Sequence, residues 1–165
     1  MIKITVIGIA IILTALCGCS PEKETTAKTE NNTKIEIING PIPVNRASAD
    51  NFSGEVYSTM LTLLREHLNL SSGYVNFTPG ARTNWHTHPE GQMLIITSGK
   101  GRVQQWGEPL IEVKEGDLVW FPAGVKHWHG ASPDESMTHL SMAPIIEGVS
   151  SVWLEPVTDE QYNRR

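Results

Sequence analysis

The chain has 165 residues and a net charge of −5, a length that suits one domain plus a tail. Lys and Arg do not cluster except at the terminal Arg164-Arg165, which argues against nucleic acid as a partner. Both cysteines, Cys17 and Cys19, lie near the N-terminus, so the folded part has neither a disulfide nor thiol chemistry.

Met1-Ile2-Lys3 opens with a positive charge, and Ile4 to Leu16 is an apolar run of thirteen residues. That is too short for a bilayer span of about 20 residues and suits the core of a secretory signal. Leu16-Cys17-Gly18-Cys19 then resembles a bacterial lipobox. The resemblance implies that residues 1–18 are a lipoprotein signal peptide and that Cys19 is acylated after cleavage. Residues 19–34 read as a disordered tether, because Ser20 to Lys34 contains only Ala27 as an apolar residue besides Pro21. Ser20, rather than an acidic residue, follows the acylated position. By likeness to Gram-negative lipoproteins, this implies the cell envelope, on the periplasmic side of the outer membrane.

Residues 35–165 read as a single all-β domain. Ile35-Glu36-Ile37-Ile38 predicts a short strand, Phe52 to Tyr57 and Met60 to Leu64 have β composition, and Arg65 to Ser72 predicts a polar loop with solvent-exposed His67. Gly73 to Thr78 is a strand closed by Pro79-Gly80, and the strand Thr83 to His88 ends at Pro89. Gln92 to Thr97 continues into Ser98-Gly99-Lys100-Gly101, read as a hairpin turn before a returning strand, Arg102 to Trp106. Leu110 to Lys114, Leu118 to Phe121, the segment around His127 to His129, and Met137 to Met142 follow, separated by turn signals. Strands this short, spaced at roughly 8–12 residues, predict an antiparallel sandwich or barrel. Thr158-Asp159-Glu160-Gln161 has capping-box spacing and predicts a helical turn.

Five of the six histidines fall between Thr83 and Leu140. His86 and His88 are two apart, as are His127 and His129, so each pair shares one face of its strand. Same-face histidine pairs on separate strands can converge on one ion. His139 follows on the face shared with Met137 and Ser141. Glu90, in the turn after Pro89, is an alternative fourth ligand to Gln92.

The spaced residues resemble the cupins, small jelly-roll β-barrels. The first motif, Gly-x5-His-x-His-x3-Glu-x6-Gly, reads Gly80, His86, His88, Gln92 and Gly99, with Gln in place of Glu. The second, Gly-x5-Pro-x-Gly-x2-His-x3-Asn, reads Gly116, Pro122, Gly124, His127 and Ala131. Within the cupins, the stretches Pro79 to Pro89, Lys126 to Ala131 and Met137 to Leu140 resemble the small manganese-dependent (R)-mandelonitrile lyase-like group, in which Gln is the expected ligand. The resemblance implies His86, His88, Gln92 and His127 as metal ligands. It also implies His129 and His139 as acid/base residues and Thr83 as a substrate contact. The implied cofactor is one divalent transition metal, Mn first, with Fe, Ni or Zn as alternatives. Three imidazoles and an amide leave such an ion its full +2 charge, which favours Lewis-acid work. The resulting expectation is a metal-dependent lyase acting on a small hydroxy or carbonyl compound. A metal-dependent oxygenase or isomerase, or a non-catalytic envelope cupin that binds a small molecule or metal, stands as the alternative. A small-molecule substrate, a membrane held through the lipid, and a homodimer are the expected partners.

Overall fold

The computed structural model describes residues 35, 37, 41–61 and 68–163. The signal peptide, Cys19, the tether, His67 and most of the Met60–Leu64 segment lie outside the described residues. Of the strand expected at Ile35–Ile38, the described Ile35 and Ile37 are in no strand. The domain itself forms one compact unit, and its first described residue is Pro41.

Twelve strands and one helix occur among the described residues. They are β1 (Asn45–Arg46), β2 (Phe52–Ser53), β3 (Val56–Met60), β4 (Leu70–Phe77), β5 (Arg82–Thr83), β6 (His86–Thr87) and β7 (Gln92–Gln105). After these come β8 (Ile111–Lys114), β9 (Leu118–Phe121), β10 (His127–Ala131), β11 (Met137–Pro144), β12 (Val152–Trp153) and α1 (Asp159–Asn163). All pairings are antiparallel and join into one sheet that folds into two leaves. The first leaf runs β1-β3-β4-β11-β7-β9. The second runs β8-β7-β10, with β5 and β6 on the far side of β10, β2 beyond β5 and β12 beyond β6.

β7 is the seam between the leaves, and it corrects the expected hairpin at Ser98–Gly101. Its first half pairs with β9 and β11, its second half with β8 and β10, and the chain never reverses. Gly99 (φ 76°) does not turn the strand back; it bends the strand from one leaf into the other. A β-carbon there would collide with the carbonyl oxygen of Ser136. Next to the bend, the register with β11 shifts between Thr138 and His139. Conversely, two stretches expected to be continuous are divided. Phe52 to Tyr57 splits into β2 and β3 at Gly54, and Thr83 to His88 splits into β5 and β6 at Asn84-Trp85. β4 begins at Leu70, inside the expected loop.

The main core lies between the leaves, around Phe77, Leu94, Ile96, Phe121 and Met137. A second cluster, Trp85, Trp128, Val157 and Tyr162, covers the outside of the second leaf. Alternation explains it: Trp85 precedes His86 and Trp128 lies between His127 and His129, so both indoles point away from the histidines. The C-terminal segment seals that side. The expected capping box is formed, with Thr158 N–H donating to Gln161 Oε1 (2.9 Å) and Gln161 N–H to Thr158 Oγ1 (3.2 Å). It starts α1 and sets Tyr162 between the guanidinium groups of Arg82 and Arg102, 4.8 and 5.1 Å from its ring centroid. The Tyr162 hydroxyl donates to Ala131 O at 2.8 Å.

Candidate metal centre

β6, β7, β10 and β11 turn His86, Gln92, His127, His129 and His139 into the interior, and His88, just past the end of β6, joins them; each is at most 5% exposed. Pairing His127 opposite His86 brings their rings to a centroid distance of 4.3 Å. The His86 and His88 rings are 5.2 Å apart, so the same-face expectation holds despite the break at Asn84-Trp85. A ring nitrogen of each of His86, His127 and His129 lies within 4.8 Å of the others.

Three of the rings are held in the same way. Nδ1 of His86 meets Asn84 O (3.0 Å), Nδ1 of His88 meets Ser150 O (2.5 Å), and Nδ1 of His127 meets Val125 O (2.8 Å). A carbonyl only accepts, so each Nδ1 carries the hydrogen and each Nε2 keeps its lone pair. This is the anchoring that orients metal-binding imidazoles. Burial, the largest cause in each case, keeps the rings neutral. It lowers His86 well below the ordinary histidine value, takes His127 to about 4, and lowers His88. His86 is lowered further by His127. Neighbouring rings fix the ring planes: Phe121 stacks on His127 (centroids 3.7 Å apart, 9°), and Trp153 packs tilted against His86 (4.8 Å, 34°).

Gln92 Nε2 donates to Ser141 Oγ (3.0 Å), and its Oε1 faces His127 Nε2 at 3.0 Å. With Nδ1 carrying the only hydrogen of a neutral His127, these two atoms are both acceptors. A half-turn of the amide would satisfy His127, but it would leave the buried Nε2 of His88 with no partner among the described residues. A cation satisfies both. The donor set, imidazole nitrogens and an amide oxygen, suits a borderline transition metal over Ca or Mg.

His129 and His139 are held differently. His139 Nε2 meets His129 Nδ1 at 3.3 Å, so the Nδ1 of His129 bonds to a ring and not to a backbone carbonyl. Burial lowers His139 to about 3; burial and then the neighbouring His139 lower His129 well below the usual range. The neutral pair shares one hydrogen, leaving His129 Nε2 and His139 Nδ1, both buried and without a hydrogen-bond partner among the described residues, as one acceptor and one donor whichever way the shared hydrogen points. Thr83 is buried, and its Oγ1 accepts from His129 N–H at 3.2 Å. Glu90 is exposed in its turn, apart from this cluster.

Thr83, His86, His88, Gln92, His129 and His139 all open onto one cavity of ≈ 370 Å³ between the leaves, whose apolar side is formed by Phe52, Val75 and Trp153. Sequence reasoning missed Phe121, Ser150 and Trp153. Phe121 carries a usable signal, its place directly before the Pro122-Ala123-Gly124 turn into β10. Ser150 acts through its backbone carbonyl, which no side-chain pattern marks.

Residues 73–142 match the cupin domain family. A protein of Granulicella tundricola named (R)-mandelonitrile lyase is 46% identical over 119 residues, covering 72% of this chain and 91% of its own. A cupin-like protein of Thermotoga maritima is 42% identical with a TM-score of 0.69, covering 72% of this chain and 90% of that one. An oxalate decarboxylase of Bacillus subtilis, 21% identical with a TM-score of 0.53, covers 74% of this chain and 35% of that one and shares the fold alone. The two leaves joined through β7, the inward histidines and these likenesses agree: the chain belongs to the cupin family.

Proposed function

We propose that this protein is a metal-dependent lyase that cleaves a small hydroxy compound of the cyanohydrin type. The observation that carries the reading is the neutral His129–His139 pair, which opens onto the same cavity as the backbone-anchored imidazoles of His86 and His88. The relative named (R)-mandelonitrile lyase supports it. His86, His88, His127 and Gln92 would hold one divalent transition ion, Mn by family likeness, with Fe, Ni or Zn as alternatives. Such an ion supplies Lewis-acid stabilisation of negative charge on the substrate oxygen, undiminished by any ligand charge.

The chain's own residues do the rest. Phe52 and Trp153 receive the organic part of the substrate, and the Thr83 hydroxyl orients its oxygen. The acceptor nitrogen of the histidine pair takes the hydroxyl proton as the carbon–cyanide bond breaks, the carbonyl forms and cyanide leaves with the bonding pair. A neutral imidazole at pH 7 is the required form of that base. Acylation of Cys19 would hold the domain at the cell envelope, on the periplasmic side of the outer membrane; the lipobox and Ser20 support this placement.

The test is cyanide release from mandelonitrile and small aliphatic cyanohydrins by metal-loaded protein. Release well above the protein-free rate, lost on chelation and regained on Mn addition, is the expected result. No release with any metal from any of these compounds would refute the lyase reading and leave a binding cupin or an oxygenase.

A further inference from the structure

Exposed aliphatic side chains gather at the end of the sandwich where the cavity opens. β4 begins at Leu70 and β11 ends at Pro144, paired with each other, and Met60, Ser71 and Ala143 line the cavity at this end. Two segments flank the opening: Ala47-Ser48, just after β1, on one side, and Ser150-Ser151, just before β12, on the other. Val44 precedes the first, and Val149 and Val152 bracket the second. Ile146 and Val149 pair across the turn Glu147-Gly148, each donating its N–H to the other's carbonyl at 2.9 Å. Leu68 stands beside them, because Asn69 O accepts from Ile145 N–H at 2.8 Å. Val44 is 67% exposed, Leu68 56%, Val152 47%, Ile146 43% and Val149 42%. The opposite end, around Ser132 to Ser136, is charged instead: it carries Asp134 and the ion pair of Lys100 with Glu135.

We propose that this rim rests on the surface of a zwitterionic lipid bilayer, with the cavity mouth turned toward the lipid. The inference builds on the reading of Cys19 as an acylated anchor. Clustered exposed aliphatics mark a protein or a membrane contact, and three observations favour lipid. Pro41 to Val44 enters the domain at this end, so about 22 residues join Cys19 to the rim. A polar stretch of that length spans roughly 25 Å on average, which keeps the rim close to the bilayer and makes a weak contact sufficient. The aliphatics are separate side chains around an opening, which suits insertion between headgroups better than the continuous apolar centre of a protein interface. Charge gives the lipid class. Arg46 is the one basic residue lining the cavity, while Glu90 and Glu147 stand in turns at this end. Such a rim gains nothing from anionic lipid and suits the ammonium groups of phosphatidylethanolamine and phosphatidylcholine. A substrate that partitions into the bilayer then meets the cavity without crossing open water.

The metal-loaded chain from Cys19 onward retains every described residue and has Cys19 as its one thiol, so it can be coupled to a maleimide lipid in phosphatidylethanolamine–phosphatidylcholine vesicles. Amide hydrogen exchange then compares it with the same chain coupled to a soluble maleimide. Exchange across residues 145–152 should slow at least about tenfold on the vesicles, and exchange across 132–136 should not change. Ile146→Ser/Val149→Ser should lose this protection, and so should Val44→Asp on the other side of the opening. Ile111→Asp, an exposed position on β8, should keep it. Circular dichroism and retained metal establish that each variant is folded. Unchanged exchange across 145–152, equal slowing across 132–136, or protection surviving in both rim variants would each overturn the proposal. So would protection that follows the density of protein on the vesicle, which would assign the rim to a second copy. Mass spectrometry of the native chain tests the anchor separately, because chemical coupling does not depend on natural acylation.

Discussion

Metal-free protein should lose stability steeply as the pH falls from 6.5 to 5. His86, His127, His129 and His139 are buried, and their folded-state pKa values lie below the ordinary 6.5, at about 4 for His127 and about 3 for His139. Between those values and 6.5 the unfolded chain binds protons that the folded chain refuses, so stability rises with pH there and falls on acidification. For one histidine that stays neutral when folded, the cost is about 0.8 kcal/mol at pH 6 and about 2 kcal/mol at pH 5. Four together cost about 3 and about 8 kcal/mol if they act independently. A domain holds only about 5–15 kcal/mol in total, so the metal-free fold should fail near pH 5. A bound divalent ion binds the neutral rings and should shift this loss to lower pH. Urea titrations at pH 7, 6 and 5, with and without chelator, read the effect through the buried Trp85 and Trp128. A change smaller than about 2 kcal/mol between pH 7 and 5 in chelated protein would refute the picture of dry, neutral imidazoles.

Purified protein should carry roughly one transition ion per chain, lost in His86→Ala or His127→Ala and held more tightly in Gln92→Glu, as elemental analysis and chelator competition would show. His139→Ala should keep the metal and lower kcat by about 10²–10⁴-fold; simultaneous loss of metal would make His139 a ligand. Tyr162→Phe should cost about 1 kcal/mol in urea unfolding through the lost hydroxyl bond to Ala131 O, and Tyr162→Ala about 3–5 kcal/mol. Both should leave the metal content unchanged, because Tyr162 packs behind Trp128; loss of metal would show that the tail shapes the site. Mass spectrometry of membrane-fraction protein should find a lipid on an N-terminal Cys19, and an unmodified start would remove the anchor.

Alternation and spacing determined much of this protein. Two His-x-His pairs and strand-like flanks led to an all-β sandwich or barrel with same-face histidines, and the resemblance of the spaced residues to the cupin motifs added Gln92. Thr158 to Gln161 announced its own helix cap, because capping is a contact between near neighbours in sequence. Tertiary structure decided the rest. Ser98-Gly99-Lys100-Gly101 has hairpin composition, yet Gly99 serves as a bend because β11 lies close enough to exclude a side chain; composition cannot distinguish the two. The tautomers of His86, His88 and His127 depend on the carbonyls of Asn84, Ser150 and Val125, and backbone groups leave no trace in residue identity. Separating His86, His88 and His127, each anchored at Nδ1, from the mutually bonded His129 and His139 required three dimensions. Period-two alternation tells which face a side chain takes, but not what stands opposite it.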